Sequence, residues 1–306
     1  MGVRDMEIIS LKNMTKKYNP NIGCFNINIA VKKGEVYGFL GPNGAGKTTV
    51  IRQMVGFIKS DNGTGTILGY DVWKDTKNIM KDLGYLAGEV NLPEYMTGIS
   101  YLKTISEIRG NVDWKYVEKL IEYFDFDPKQ KIKKMSKGMK QKVAIISAFM
   151  HKPKVLILDE PTSGLDPLMQ QKFDTLIKNL QKEEATIFMS SHIFSEIDNT
   201  CDKVAIIKKG KIVSEANIKE LKNNADKIYE LKFITINDYD NFMNKKWKII
   251  DTNKVTKIIK VEISQNNINN FLKEITDYQL EYFKELPFNL EQHFIKFYEK
   301  EVSFND

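Results

Sequence analysis

The chain has 306 residues, 42% hydrophobic and 28% charged, a composition that supports a sizeable folded core and about two domains. The net charge of +6 rests on lysine, since only Arg4, Arg52 and Arg109 are arginine among 46 basic residues; arginine is the usual reader of guanine and phosphate, so no nucleic acid partner is expected. The longest apolar runs, such as 143–150 and 155–158, fall far short of a membrane span, no apolar signal follows Met1, and the distant pair Cys24 and Cys201 gives no zinc or disulfide framework.

Taken in chain order, residues 7–14 and the alternating 24–31 read as strands, and 35–40 as a short apolar strand ending at glycine. A helix is expected from 47 to about 57, turn chemistry at 60–65, and a strand at 66–68. Residues from about 97 to 150 read as helical. A buried strand at 154–158 precedes a helix from about 167. Strand 186–189, a short helix, and strands 203–208 and 211–214 follow. This alternation predicts a mostly parallel α/β sheet. From about 227 the pattern becomes strand 229–234, helix 237–244, strands 247–251 and 257–263, helix 266–275 and strand 278–283. That β-α-β-β-α-β order predicts a ferredoxin-like unit, followed by a helix at about 290–300.

Gly41-Pro42-Asn43-Gly44-Ala45-Gly46-Lys47-Thr48-Thr49 matches G-x-x-x-x-G-K-[ST] between a predicted strand and helix. In that context the backbone N–H groups and the helix N-terminus cradle phosphates. Lys47 reaches the β- and γ-phosphates of ATP, and the Thr48 hydroxyl ligates Mg²⁺. Val155-Leu156-Ile157-Leu158-Asp159-Glu160 is an apolar strand delivering two acids to the edge where open α/β sheets bind ligands. Because successive strand residues face opposite sides, Asp159 and Glu160 are expected to differ in role, one supporting a metal and the other a water.

On these residues the chain resembles the ATP-binding subunits of ABC transporters, over about residues 6 to 225. The resemblance implies a P-loop NTPase core with an antiparallel β-subdomain and a helical signature subdomain at about 90–150, together residues 1–225. Residues 226–306 then form a C-terminal α+β accessory domain. It implies Asp159 as a metal ligand, Glu160 as catalytic base, and His192, in Ser190-Ser191-His192, as the switch histidine on γ-phosphate. Ser163-Gly164-Leu165-Asp166 resembles the D-loop that joins two halves of a dimer. Tyr18 stands where an aromatic stacks on adenine, with a core tyrosine at a strand end as the competing reading. Met135-Ser136-Lys137-Gly138-Met139 replaces the usual Leu-Ser-Gly-Gly-Gln signature. Ser136 and Gly138 match, and they imply contact with a nucleotide held by a second ATP-binding subunit. Lys137 reads either as a cation near that nucleotide or as a solvated lysine. The usual Q-loop glutamine is replaced by Gly88, leaving Glu89 or water to serve as the hard oxygen ligand.

The same resemblance implies an ATPase that works with a polytopic permease at the inner face of the cell membrane, where a lysine-rich surface suits an anionic leaflet. The segment 90–101, with Leu92, Pro93, Tyr95 and Met96, is expected either to receive the permease or to pack between subdomains. Phe288-Asn289-Leu290-Glu291-Gln292-His293-Phe294 is similar to endings of drug and peptide-antibiotic exporters, which points toward export. The alternative is a regulatory or structural subunit with slow hydrolysis, left open by Gly88 and the altered signature. His151 and His293 are expected to have surface or packing roles.

Overall fold

The computed structural model describes residues 6–110 and 112–295, with only the backbone of 292, 293 and 295; Arg4, the His293 side chain and the predicted helix beyond 295 lie outside the described residues. The chain divides into two compact units, Met1–Ile218 and Lys219–Asp306. The division falls a few residues before the boundary expected at 225, within a short helix that the sequence reading did not distinguish.

The first unit runs β1 (Glu7–Asn19), β2 (Ile22–Lys32), β3 (Val36–Leu40), α1 (Lys47–Met54), β4 (Asn62–Ile67), β5 (Tyr70–Asp71), α2 (Thr76–Asp82) and β6 (Leu83–Leu86). It continues with α3 (Gly98–Arg109), α4 (Trp114–Phe124), a 3₁₀ turn at Ile132–Lys134 and α5 (Lys137–Phe149). Then come β7 (Val155–Asp159), α6 (Pro167–Lys182), β8 (Thr186–Ser191), α7 (Phe194–Thr200), β9 (Lys203–Lys208) and β10 (Lys211–Asn217).

Two sheets form the unit. One is antiparallel, in the order β2-β1-β4-β5. The other has six strands, β10-β9-β3-β8-β7-β6, all parallel except for the β9–β10 hairpin. Every residue of β3, β7 and β8 is buried, which is why their central residues read as apolar runs. Each large apolar side chain so buried contributes about 1.5–3 kcal/mol, so the strand ends are firmly positioned.

Some local expectations change. Asn62–Gly65 was expected as a turn but opens β4, where it pairs antiparallel with β1 from Thr15↔Asn62 to Ile9↔Ile67. Hydrogen bonds from a strand some fifty residues earlier override local glycine and asparagine preferences. The first helix ends at Met54 rather than about 57, because Gly56 takes a left-handed φ of 73°. The helical region begins with a capping box: Thr97 Oγ1 accepts from the Ser100 amide, and the Thr97 amide donates to Ser100 Oγ.

The second unit follows α8 (Ile218–Asn224) with β11 (Lys227–Phe233), α9 (Ile236–Met243), β12 (Lys248–Asn253), β13 (Ile258–Ile263), α10 (Ile268–Ile275), β14 (Leu280–Leu286) and α11 (Leu290–Ile295). Its antiparallel sheet has the order β12-β13-β11-β14, the ferredoxin-like arrangement. Leu231, Phe233, Phe242, Val261 and Phe271 fill its core. The opposite sheet face is a charged ladder, with Asp251–Lys260 and Glu230–Lys284 ion pairs at 2.8 Å.

Candidate active site

β3, β8, β7 and β6 lie side by side and end at one edge, with Leu40 opposite Ser191, Asp159 opposite Ser190 and Leu86 opposite Leu158. The loop 41–49 leaves β3, Glu160 follows β7, His192 follows β8, and Gly88 lies two residues beyond β6. Four segments distant in sequence are thereby brought together where parallel α/β sheets bind ligands.

Gly46, at φ 107°, is the N-cap of α1 and supplies no side-chain cap. This conformation favours glycine. The first-turn N–H groups of α1 therefore remain suited to an anion. Pro42, Asn43 and Gly44 are exposed, Ala45 is buried, and the Ala45 amide donates to the Pro42 carbonyl. Lys47 is only 5% exposed. Its Nζ donates to the carbonyls of Gly41 (2.7 Å) and Pro42 (3.3 Å), so the loop itself holds the ammonium in place.

Lys47 Nζ also lies 3.2 Å from Glu160 Oε1, while His192 Nδ1 lies 3.2 Å from Glu160 Oε2. Glu160 thus stands between the phosphate loop and His192. Strand alternation does not separate the two acids. Glu160 lies beyond the last residue of β7, and its φ of 46° turns it into left-handed backbone. The difference between the two acids comes from this turn rather than from the strand pleat. Asp159 stays in the strand, buried, and accepts from Thr48 Oγ1 at 2.8 Å and from Ser190 Oγ.

Tyr18 is 54% exposed at the end of β1, which excludes a core role. The turn that follows, with Ile22 and Gly23, borders a cavity of about 1050 Å³ that Gly44 of the phosphate loop also lines. Ser136 is the N-cap of α5, and its Oγ accepts from the Met139 amide, leaving the hydroxyl proton for donation. Gly138 abuts the Gly164 carbonyl: a Cβ on Gly138 would lie 2.7 Å from that oxygen. Asp166 caps α6 by accepting from the Met169 amide at 3.0 Å.

The ABC transporter family profile matches residues 24–163. An uncharacterized ABC transporter ATP-binding protein of Bacillus subtilis, YhcH, is 32% identical over 84% of this chain and 85% of its own length. The bacitracin transport ATP-binding protein BcrA of Bacillus licheniformis is 37% identical over 80% of this chain and 81% of its own. The chain belongs to the ABC transporter family of ATP-binding proteins. Among solved structures, an ATP-binding subunit of an ABC transporter superposes with a TM-score of 0.66 at 25% identity, over 71% of this chain and 92% of that one.

At position 88, where the family resemblance leads one to expect the Q-loop glutamine, this ABC-type ATPase carries glycine. A Cβ on Gly88 would lie 3.1 Å from Asp159 Oδ2, so the glycine sits directly against the buried carboxylate. Glu89 is exposed and, together with Gly88, lines a cavity of about 310 Å³ bordered by Met135, Lys137 and Gln141. Among the described residues no cluster of three or more His, Cys, Asp or Glu gathers Glu89 with Asp159 and Glu160.

Several residues of this ABC site escaped the sequence reading. Ser190 donates to Asp159, and its carbonyl and hydroxyl both accept from the Glu160 amide, at 3.2 and 3.1 Å. Buried Glu196 accepts from Thr162 Oγ1 and Ser191 Oγ, joining the turn after Glu160 to the strand end before His192. Glu196 shares the inner face of α7 with Ile197 and Thr200, a mixed face that gives no apolar stripe against which the acid would stand out.

Proposed function

We propose that the chain is the ATP-hydrolysing motor of an exporter, paired with a second ATP-binding subunit and a separate polytopic permease at the inner face of the cell membrane. The convergence of Lys47, Thr48, Asp159, Glu160 and His192 at one strand edge carries this reading. Resemblance to a bacitracin transport protein supports the export direction and a drug, peptide or lipid-like cargo. No helix among the described residues is long and apolar enough to cross a membrane, which suits a separate permease chain.

In this mechanism ATP lies with its adenine on Tyr18 and its phosphates over Gly41–Thr49. The α1 N-terminus and Lys47 meet the β- and γ-phosphates. Thr48 and Asp159 would hold Mg²⁺; their hard oxygens, 2.8 Å apart, fit an ion that takes few protein ligands and keeps several waters. Mg²⁺ supplies charge neutralisation on the phosphates. Glu160 orients and deprotonates the attacking water, and His192 contacts the γ-phosphate. Ser136 and Gly138 of the partner subunit close the site across the dimer, and Asp166 lies on the D-loop that joins the two halves. Glu89 is exposed and lines a cavity that Asp159 does not, so water rather than its carboxylate would fill the missing ligand position.

Purified protein should hydrolyse Mg-ATP, and Glu160→Gln should lower turnover by about 10²–10⁴-fold while ATP still binds. Equal turnover in both would assign the chain to a slow regulatory class instead. Tyr95, 83% exposed in the segment after Gly88, fits a docking role for the permease. Tyr95→Glu should reduce co-purification of a polytopic membrane protein with little change in basal ATPase activity. Undiminished recovery of that protein would remove the docking assignment.

A further inference from the structure

We propose that Lys137 is a positioning residue that ties the signature turn to the D-loop of its own chain. Lys137 Nζ donates to Ser163 Oγ at 3.0 Å. Its methylenes lie over Gly164, where a Cβ would come within 3.0–3.3 Å of Cγ, Cδ and Cε. Gly164 has a φ of +81°, so a larger residue there would strain the backbone and strike the lysine. One helical turn later, buried Gln141 donates from Nε2 to the Pro161 carbonyl at 2.6 Å. Residues i and i+4 share a helix face, so Lys137 and Gln141 grip the segment 161–164 from one side of α5. The Gly138–Gly164 backbone contact lies alongside them.

The grip reaches the catalytic carboxylate. The Ser163 amide donates to the Glu160 carbonyl at 3.1 Å, so a bonded path runs from Lys137 through Ser163 to Glu160. A glycine at position 137, the usual signature residue, cannot make this path. In this chain the signature turn and the D-loop therefore move as one body, and closure of the signature on a nucleotide sets the Glu160 turn. Lys137 spends its ammonium on Ser163 rather than standing free as a phosphate-binding cation. The catalytic part of this inference rests on the ATPase reading above. The tether itself does not.

The test uses the full chain with Lys137→Met, which keeps the methylenes, Ser163→Ala, the double variant, and Lys137→Arg as a donor-preserving rescue. Amide hydrogen exchange at residues 161–166 should rise in Lys137→Met and in Ser163→Ala, and stay near wild type in Lys137→Arg. Turnover should fall by about three- to tenfold in each single variant, with KM for ATP unchanged and the double variant no worse than either. Unchanged exchange in Lys137→Met overturns the tether, whether or not the protein hydrolyses ATP. A raised KM in Lys137→Met but not in Ser163→Ala, or additive losses in turnover, also overturns it and assigns the lysine to the phosphate directly. Absent wild-type ATPase activity would count against the proposed function, and the exchange result would still decide the tether.

Discussion

Glu160 is held in left-handed backbone at a cost of about 1–2 kcal/mol. The hydrogen bonds of its amide to Ser190, the Lys47 ammonium and the contact with His192 Nδ1 offset that cost. The residue type was legible from the motif, but its conformation was not, because φ depends on what the following turn bonds to. Gly88 shows the same division. Its identity was visible as a departure from the family, yet its contact with Asp159 depends on β6 lying beside β7. A Cβ at 3.1 Å from Asp159 Oδ2 is tighter than ordinary contact, so the carboxylate must give by a few tenths of an ångström. Gly88→Ala should therefore weaken Mg²⁺ activation about tenfold, by shifting the carboxylate proposed to hold the ion. A titration of ATPase activity against Mg²⁺ checks this; an unchanged half-saturation point would mean that Asp159 is free to move without consequence.

Helices and strands were recognised where burial wrote a strong pattern. The fully buried β3 and β7 and the long α6 are examples, and α6 carries Asp166 and Pro167 at its start as the usual N-terminal signals. Elements that depend on a distant partner were harder to see. β4 begins with residues that favour turns and exists because β1 supplies its hydrogen bonds. α7 shows how an element can carry connections that its sequence hides. Glu196 bonds Thr162 on one side and Ser191 on the other, linking the turn after β7 to the end of β8 through one buried carboxylate. Glu196→Ala leaves two hydroxyls without this acceptor and should cost about 2–4 kcal/mol of stability. Urea unfolding would register this as a lower midpoint. Turnover should also fall, because Glu160 and His192 are no longer held in register; a variant with the wild-type midpoint would show that water replaces the carboxylate without loss.

At the scale of the whole molecule, stability has a pH dependence that the composition does not disclose. His151 Nε2 lies 3.1 Å from the Leu83 carbonyl, where burial first, and the Arg109 guanidinium second, push its pKa down to about 4 from the usual 6.5. The unfolded chain takes up this proton more readily than the native one. The stability linked to neutral His151 is therefore fully present above pH 6.5 and is lost as pH falls toward about 4. Asp174, pushed up to about 6 by burial and by Glu196, acts in the opposite direction as pH falls through that value. Comparing wild type with His151→Gln isolates the histidine. The stability difference measured by denaturant at pH 7.5 should shift in favour of the variant at pH 5. A difference independent of pH would mean that His151 is solvated and titrates normally. Sequence alone assigns His151 a surface or packing role; its burial and the approach of Arg109, which outweigh the opposing hydrogen bond to the Leu83 carbonyl, give it this sensitivity.

By itself the sequence determined the phosphate loop, the strand-borne acids and the family, because each is a local pattern whose residue types are dictated by phosphate chemistry. It also determined the alternation of strands and helices, since burial on both faces of a parallel sheet writes continuous apolar runs. The tertiary structure alone decided which side chains meet. Ser190 against Asp159, Glu196 between Thr162 and Ser191, Gly88 against Asp159 and Lys137 on Ser163 all join segments that adjacent strand ends and packed helices bring together. Such contacts leave no periodic trace in the chain, because they depend on strand order and register rather than on neighbours in sequence.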